Sequence, residues 1–440
     1  MKKCLFSLAS LLLVGHFASA QKVEFEEYDL DNGMHVILHQ DNSAPVVTTS
    51  VMYHVGAKDE NPERTGFAHF FEHLLFEGTE NIGRGEFMKI IPANGGRFNA
   101  NTSDDRTYYY EVFPSNNLEL GLWLESERLM HPVINQIGVD TQNEVVKEEK
   151  RMRVDNAPYG RFLEYVKVNL FKNHPYRWTT IGKMDHLDAA TLEEFQAFNK
   201  KFYVPNNAVL VVAGDFQKPE VKKMIQDYFG PIPRGADVVR TVAKEAPITE
   251  TIHAKAYDAN IQIPALIAAY RTPSYKDRDS YILEMISTYL SGGKSSKLYK
   301  KLVDEKKMAL QVGAFNFSQE DYSAYILFGM PMGETTLEEL TAEIDEEIVN
   351  LQTELISERD HQKLLNQFEN NFVSSNSSVE GIASSLATYY MLHDDVNLIN
   401  NEIEIYRSIT REDIQNVAKK YLNPNQRLLL EYLPEEKSDN

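Results

Sequence analysis

Between residues 65 and 78 the apolar positions recur at helical spacing. The run Gly-Phe-Ala-His-Phe-Phe-Glu-His-Leu-Leu-Phe is bracketed by Thr65, an N-cap type, and Gly78, a C-cap type. Residues 142–152 contain few helix breakers and read as a second, highly charged helix. Residues 95–102 and 107–113 predict two strands around a polar Ser-Asp-Asp-Arg turn. Further along, the stretch from Thr191 to Asn206 aligns without a gap on the stretch from Thr410 to Asn425. Gln196 meets Gln415, Lys200-Lys201 meets Lys419-Lys420, and Pro205-Asn206 meets Pro424-Asn425. Each copy reads as helix, proline-bearing turn and apolar strand, so the chain predicts a duplicated α+β unit. The turn-rich segment from Gly230 to Pro247 separates the copies.

The first helix carries the candidate chemistry. His69 and His73 stand one turn apart, with Glu72 close to the same face, and two imidazoles at i and i+4 can share one zinc ion. The order His-x-x-Glu-His inverts the commoner metallopeptidase helix and is the inverzincin pattern. Catalytic zinc needs a third protein ligand and an open position. In the charged helix Glu144, Glu148 and Glu149 all qualify chemically, and spacing does not choose among them.

Composition narrows the setting. Lys2-Lys3, an apolar run through Val14, and Ala18-Ser19-Ala20 follow the plan of a cleavable secretory signal over residues 1–20, with maturation at Gln21 and a periplasmic or secreted product. The only cysteine, Cys4, lies within that signal, so the mature chain has no disulfide to form. No other stretch is apolar enough to span a bilayer. A formal net charge of -20 disfavours nucleic acid and anionic lipid as partners.

Over nearly all of its mature length the chain resembles the insulinase/pitrilysin zinc peptidases, in particular their roughly 50-kDa branch, which includes the mitochondrial processing peptidase. The resemblance rests on His69-x-x-Glu72-His73, Gly95-Gly96-x-x-Asn99-Ala100-x-Thr102, Thr107-x-Tyr109, Val145-Val146-x-Glu148-Glu149, His174-Pro175-Tyr176, and the block from Tyr203-x-Pro205-x-Asn207 to Gly214-Asp215. It implies Glu149 as third ligand, one Zn2+ per chain, and a metal-activated water with Glu72 as general base. It also implies substrate binding along an added strand at Asn99, Ala100 and Thr102. Gln142 falls where many relatives have a glutamate that supports the ligands from a second shell. The fold implied is two homologous halves, each a sheet packed with helices, facing each other as a clamshell. Residues 21–229 would form the zinc-bearing half, 230–248 the linker, and 249–440 a half whose Ile286, Tyr289 and Leu290 stand in place of the metal motif.

In the family it resembles, active members commonly carry an arginine and, seven residues later, a tyrosine in the second half, and the resemblance implies that both bind substrate. Here Val303 and Leu310 occupy those positions, and neither side chain can donate a hydrogen bond. The expectation is therefore a zinc endopeptidase subunit for unfolded peptides, completed as a heterodimer by a family member that supplies the pair. The alternative is a non-catalytic binding or scaffold subunit.

Overall fold

A computed structural model describes residues 22–435; the expected 1–20 signal lies outside the described residues. The first half builds a sheet from β1 (Glu26–Asp29), β2 (His35–Gln40), β3 (Val46–Tyr53), β4 (Arg97–Thr102), β5 (Thr107–Pro114) and β6 (Ala208–Gly214), in the order β1-β2-β6-β3-β5-β4. The second builds one from β7 (Ile252–Asp258), β8 (Ala265–Pro273), β9 (Ala309–Phe317), β10 (Tyr322–Pro331) and β11 (Leu428–Pro434), in the order β7-β11-β8-β10-β9. Without β1 the two orders are the same. In each, one parallel pair, β2 with β6 or β7 with β11, sits in an otherwise antiparallel sheet. Two homologous α+β halves are thus present.

The repeat read from sequence is the last helix and strand of each half. Helices Leu192–Phe202 and Arg411–Tyr421 both start from a capping box, Thr191 with Glu194 and Thr410 with Asp413, and lead into β6 and β11. Such boxes satisfy two otherwise orphaned backbone donors and set where each helix begins. Between helix Lys218–Phe229 and β7, residues 233–249 form neither helix nor strand. That segment is still tied down, because Glu245 accepts amide hydrogen bonds from Lys172, Asn173 and His174.

Period-two alternation sends each central strand into two cores. Leu210 and Val212 of β6 enter the core beneath the motif helix, whereas Val209, Val211 and Ala213 enter one closed by Ile382, Ala383, Leu386 and Ala387. Those four belong to helix Val379–His393 of the second half. The reciprocal exchange also occurs. Val166 and Leu170 of the first-half helix Phe162–Leu170 pack with Ile267 and Ala269 of β8. Each half therefore lends a helix to the other's sheet, which is why the central strands read as continuous apolar runs. Among the described residues, no helix is long and apolar enough to cross a membrane.

Candidate metal centre

The motif helix runs Phe67–Leu74, shorter than its sequence signals suggest. Its N-cap is Gly66, not Thr65, at φ 100°, where a Cβ would meet the Ile181 carbonyl oxygen at 2.9 Å. Glycine alone takes that backbone without strain. The two carboxylate oxygens of the buried Glu60 accept from the Gly66 and Ala68 amides at 2.9 Å each and so perform the capping expected of Thr65. Thr65 faces elsewhere, pairing with His186 Nδ1 at 2.9 Å and accepting from the Lys183 amide at 3.2 Å. The helix ends at Leu75, not Gly78. There Arg128 Nη1 donates to the Leu75 carbonyl at 3.0 Å, and one turn earlier Tyr109 Oη donates to the Phe71 carbonyl at 2.9 Å. Phe67 and Phe71 stack on Phe195 and Phe198 of the capped repeat helix, with ring centroids 4.5 and 5.4 Å apart. With the apolar face held in this way, His69, Glu72 and His73 remain for chemistry.

Helix Gln136–Lys150, which starts earlier than its sequence suggests, brings Glu149 to them. Glu149 Oε2 lies 3.6 Å from His69 Nε2 and 3.2 Å from His73 Nε2, and one ligand atom from each residue lies within 4.8 Å of the others. Two donors about 2.0–2.2 Å from a shared tetrahedral ion stand roughly 3.4 Å apart. The spacing found here brackets that value, and two imidazoles with a carboxylate are a zinc donor set. Burial, aided by His73, lowers the His69 pKa to about 4, which keeps its imidazole neutral as a ligand must be. A hydrogen bond from His73 and the nearby His69 hold Glu149 below the usual carboxylate range, while Arg153 pairs with its other oxygen at 2.6 Å. His69 Nδ1 is buried without a hydrogen-bond partner among the described residues. The residues fit a metal ion. In the second half the matched Ile286 and Leu290 are fully buried in the apolar core, so no ligand set forms there.

Glu72 sits beside this set. Burial raises its pKa, opposed by the Thr102 hydroxyl, which donates to Glu72 Oε2 at 2.6 Å, and by His73. The Thr102 hydroxyl, expected to face substrate, is thus engaged with Glu72. Asn99 and Ala100 lie on the same strand, β4, which among the described residues is an edge strand paired only with β5. The Ala100 amide donates at 3.0 Å to the Asn99 side-chain oxygen. The edge position of β4 is the kind that an extended peptide can join as an added strand.

Gln142 donates to Glu77 at 2.6 Å, and its own oxygen is buried without a partner among the described residues; it makes no hydrogen bond there to His69, His73 or Glu149. Val303 packs against the second core and Leu310 is 47% exposed on β9. Between them Lys307 holds the left-handed backbone, φ 54°. Sequence reasoning missed Glu60 and the Thr102–Glu72 bond. Strand alternation was the available signal for the latter, since Phe98, Ala100 and Thr102 share the less exposed face of β4.

Residues 35–183 match the family model described as Insulinase (Peptidase family M16), and residues 189–368 match the one described as Peptidase M16 inactive domain. The chain belongs to the insulinase (M16) peptidase family. It is 29% identical to the zinc protease PqqE of Helicobacter pylori, over 96% of this chain and 97% of that one. The crystal structure of a protease from Helicobacter pylori superposes with a TM-score of 0.88 at 28% identity, covering 93% and 99% of the two chains. The periplasmic protease PqqL from Escherichia coli shares the fold, with a TM-score of 0.77 at 18% identity over 94% of this chain and 48% of that chain.

Proposed function

We propose that this chain is the metal-bearing subunit of a zinc endopeptidase that hydrolyses unfolded peptides outside the cytoplasm. The observation that carries the reading is the convergence of His69, His73 and Glu149, with a separate carboxylate, Glu72, held beside them. Bound by those three residues, zinc would polarise the scissile carbonyl and make a water acidic enough to lose its proton near neutral pH. Glu72 takes that proton as the water attacks and returns it to the leaving nitrogen. Thr102 holds the accepting carboxylate in one orientation. The free edge of β4 holds the peptide extended, with Asn99 and Ala100 near the bond to be cut. The relatives named zinc proteases support this reading.

Val303 and Leu310 give this site no polar substrate contact from the second half, and the chain spans about half of PqqL. We therefore take the active unit to be a heterodimer whose other member supplies an arginine and a tyrosine. The same two residues, with the match to an inactive-domain model, favour a second reading, a non-catalytic binding subunit. Metal analysis beside cleavage of an unstructured peptide, for the wild type and Glu72→Gln, decides between them. Zinc without Glu72-dependent turnover, alone or with any partner, would refute the peptidase.

A further inference from the structure

Two equivalent hairpin tips meet where the halves join. Residues 103–106 link β4 to β5 and residues 318–321 link β9 to β10, and these pairs hold matching places in the two sheets. Lys58 stands between the tips. Its ammonium lies 3.0 Å from Asp105, 2.5 Å from Glu320 and 3.4 Å from Asp321, and its side chain is only 6% exposed. The contact continues outward. The Glu320 amide donates to Asp105 at 3.1 Å and Gln319 Nε2 donates to Asp104 at 2.6 Å, while His54 pairs with Glu320 at 2.8 Å. The main chain beside Lys58 holds the same tip, since the Ala57 and Lys58 amides donate to the carbonyls of Ser103 and Asp104 at 3.2 and 2.9 Å.

This tip directly follows Thr102. Because β4 is paired on one side only, the place of the Thr102 hydroxyl depends on β5 and on whatever fixes the end of the hairpin. Removing Lys58 would leave the buried Asp105 and Glu320 carboxylates facing one another without the cation between them, held only by the Tyr176 hydroxyl and Glu320 amide on the one and His54 on the other, which loosens the contact between the tips. Displacements of about 1 Å around reacting groups can cost on the order of a hundredfold in rate.

We infer that Lys58, with Glu320 from the half that has no metal ligands, is a positioning residue that keeps Thr102 on Glu72. The inference rests on the peptidase reading for its kinetic consequence and on geometry alone for its structural one. It gives the second half a part in the chemistry through the base, although that half has lost its substrate-binding pair.

The test uses the zinc-loaded mature protein, with its partner where turnover needs one, and the variants Lys58→Met, Lys58→Arg, Glu320→Gln and Thr102→Val. Lys58→Met is expected to keep its zinc and, within about twofold, its KM, to lose about tenfold or more in kcat, and to be largely rescued by arginine. Added to Thr102→Val, it should cost little more, because both act on one contact. Glu320→Gln should lower kcat in the same direction and serves if Lys58→Met does not fold. Independently of turnover, amide hydrogen exchange across residues 103–107 should rise in Lys58→Met and Glu320→Gln. Unchanged exchange there, or additive kcat losses, would overturn the inference. An inactive wild type that still shows the exchange change would defeat only the peptidase reading.

Discussion

The Thr102 hydroxyl donates to Glu72 Oε2 at 2.6 Å, joining the strand that would hold substrate to the carboxylate that would move its proton. A hydrogen bond to an ionised group is worth about 1.5–3 kcal/mol. Replacing Thr102 by valine keeps the shape and removes the donor, so kcat should fall roughly 10- to 100-fold with zinc content unchanged. Serine should recover most of the loss. Steady-state kinetics on an unstructured peptide, with metal analysis, is the check, and a fully active Thr102→Val variant would remove the assigned role.

Glu72 is separable from the ligands. Glu72→Gln keeps the size and loses the base, so the expected result is full zinc occupancy with turnover down about 10²- to 10⁴-fold. His73→Ala and Glu149→Ala should lose the metal itself, since each removes one of three converging donors. Equal metal loss in all three variants would contradict the division of roles.

The elements of the site were legible because they are local. Helical spacing placed His69, Glu72 and His73 on one helix, and one shared offset exposed the duplication that the sheet orders now display. What escaped was non-local. Glu60 caps the motif helix from outside it, and Gly66 replaces Thr65 because a left-handed residue is needed where the chain passes close to Ile181. The choice of Glu149 over Glu144 and Glu148 came from family resemblance; in the fold Glu149 is the one that meets His69 and His73, whereas the more exposed Glu144 and Glu148 pair with Lys147 and Arg151. The exchange of helices between halves left no local mark, since an apolar helix reads alike whichever sheet it covers.

Arg128 supports the motif helix from below. It is 1% exposed, pairs with Glu111 and Glu125 at 3.1 Å each, and lies 4.4 Å from the ring centroids of Phe76, Phe87 and Tyr109. Arg128→Leu would leave Glu111, whose pKa burial and Glu125 already push up, and Glu125 buried without their cation and would free the Leu75 carbonyl, for an expected loss of about 3–5 kcal/mol. Replacing Arg128, Glu111 and Glu125 together by apolar residues of similar volume should cost less than the single change. Urea unfolding of the two variants makes the comparison, and a single variant as stable as the wild type would show that the triad is not under the strain of burial.

The contact between hairpin tips should make stability depend on acid. Burial works against ionisation of Glu320, but hydrogen bonds and charge from His54 and Lys58 prevail and hold its pKa down to about 2, against an ordinary 4.5. A carboxylate depressed by folding contributes stability that is fully present above its unfolded pKa and lost as pH falls towards the folded one. The window is therefore from about pH 4.5 down to about pH 2, and the contribution is on the order of 3 kcal/mol. Glu320→Gln should be less stable near neutrality, with the gap to wild type closing through that window. Denaturant titrations at several pH values would show it, and parallel pH profiles for the two proteins would count against the assignment.

The last prediction concerns the missing half of the substrate site. The family resemblance implies that an arginine and a tyrosine of the second half bind the substrate opposite the metal. In this chain the matched positions hold Val303, partly buried against the core, and Leu310, and neither side chain has a donor. No rearrangement of those two side chains can supply a hydrogen bond, so activity in the isolated chain should be weak even with zinc bound. A second family member that lacks the metal motif but carries the arginine and tyrosine should form a heterodimer with it and raise kcat/KM by about 10²-fold or more, the usual scale for one such donor. Mutating the partner's arginine should abolish the gain while leaving the complex intact on a sizing column. Full activity from the isolated chain, unchanged by any candidate partner, would refute the heterodimer and mean that other residues of this chain bind the far side of the substrate.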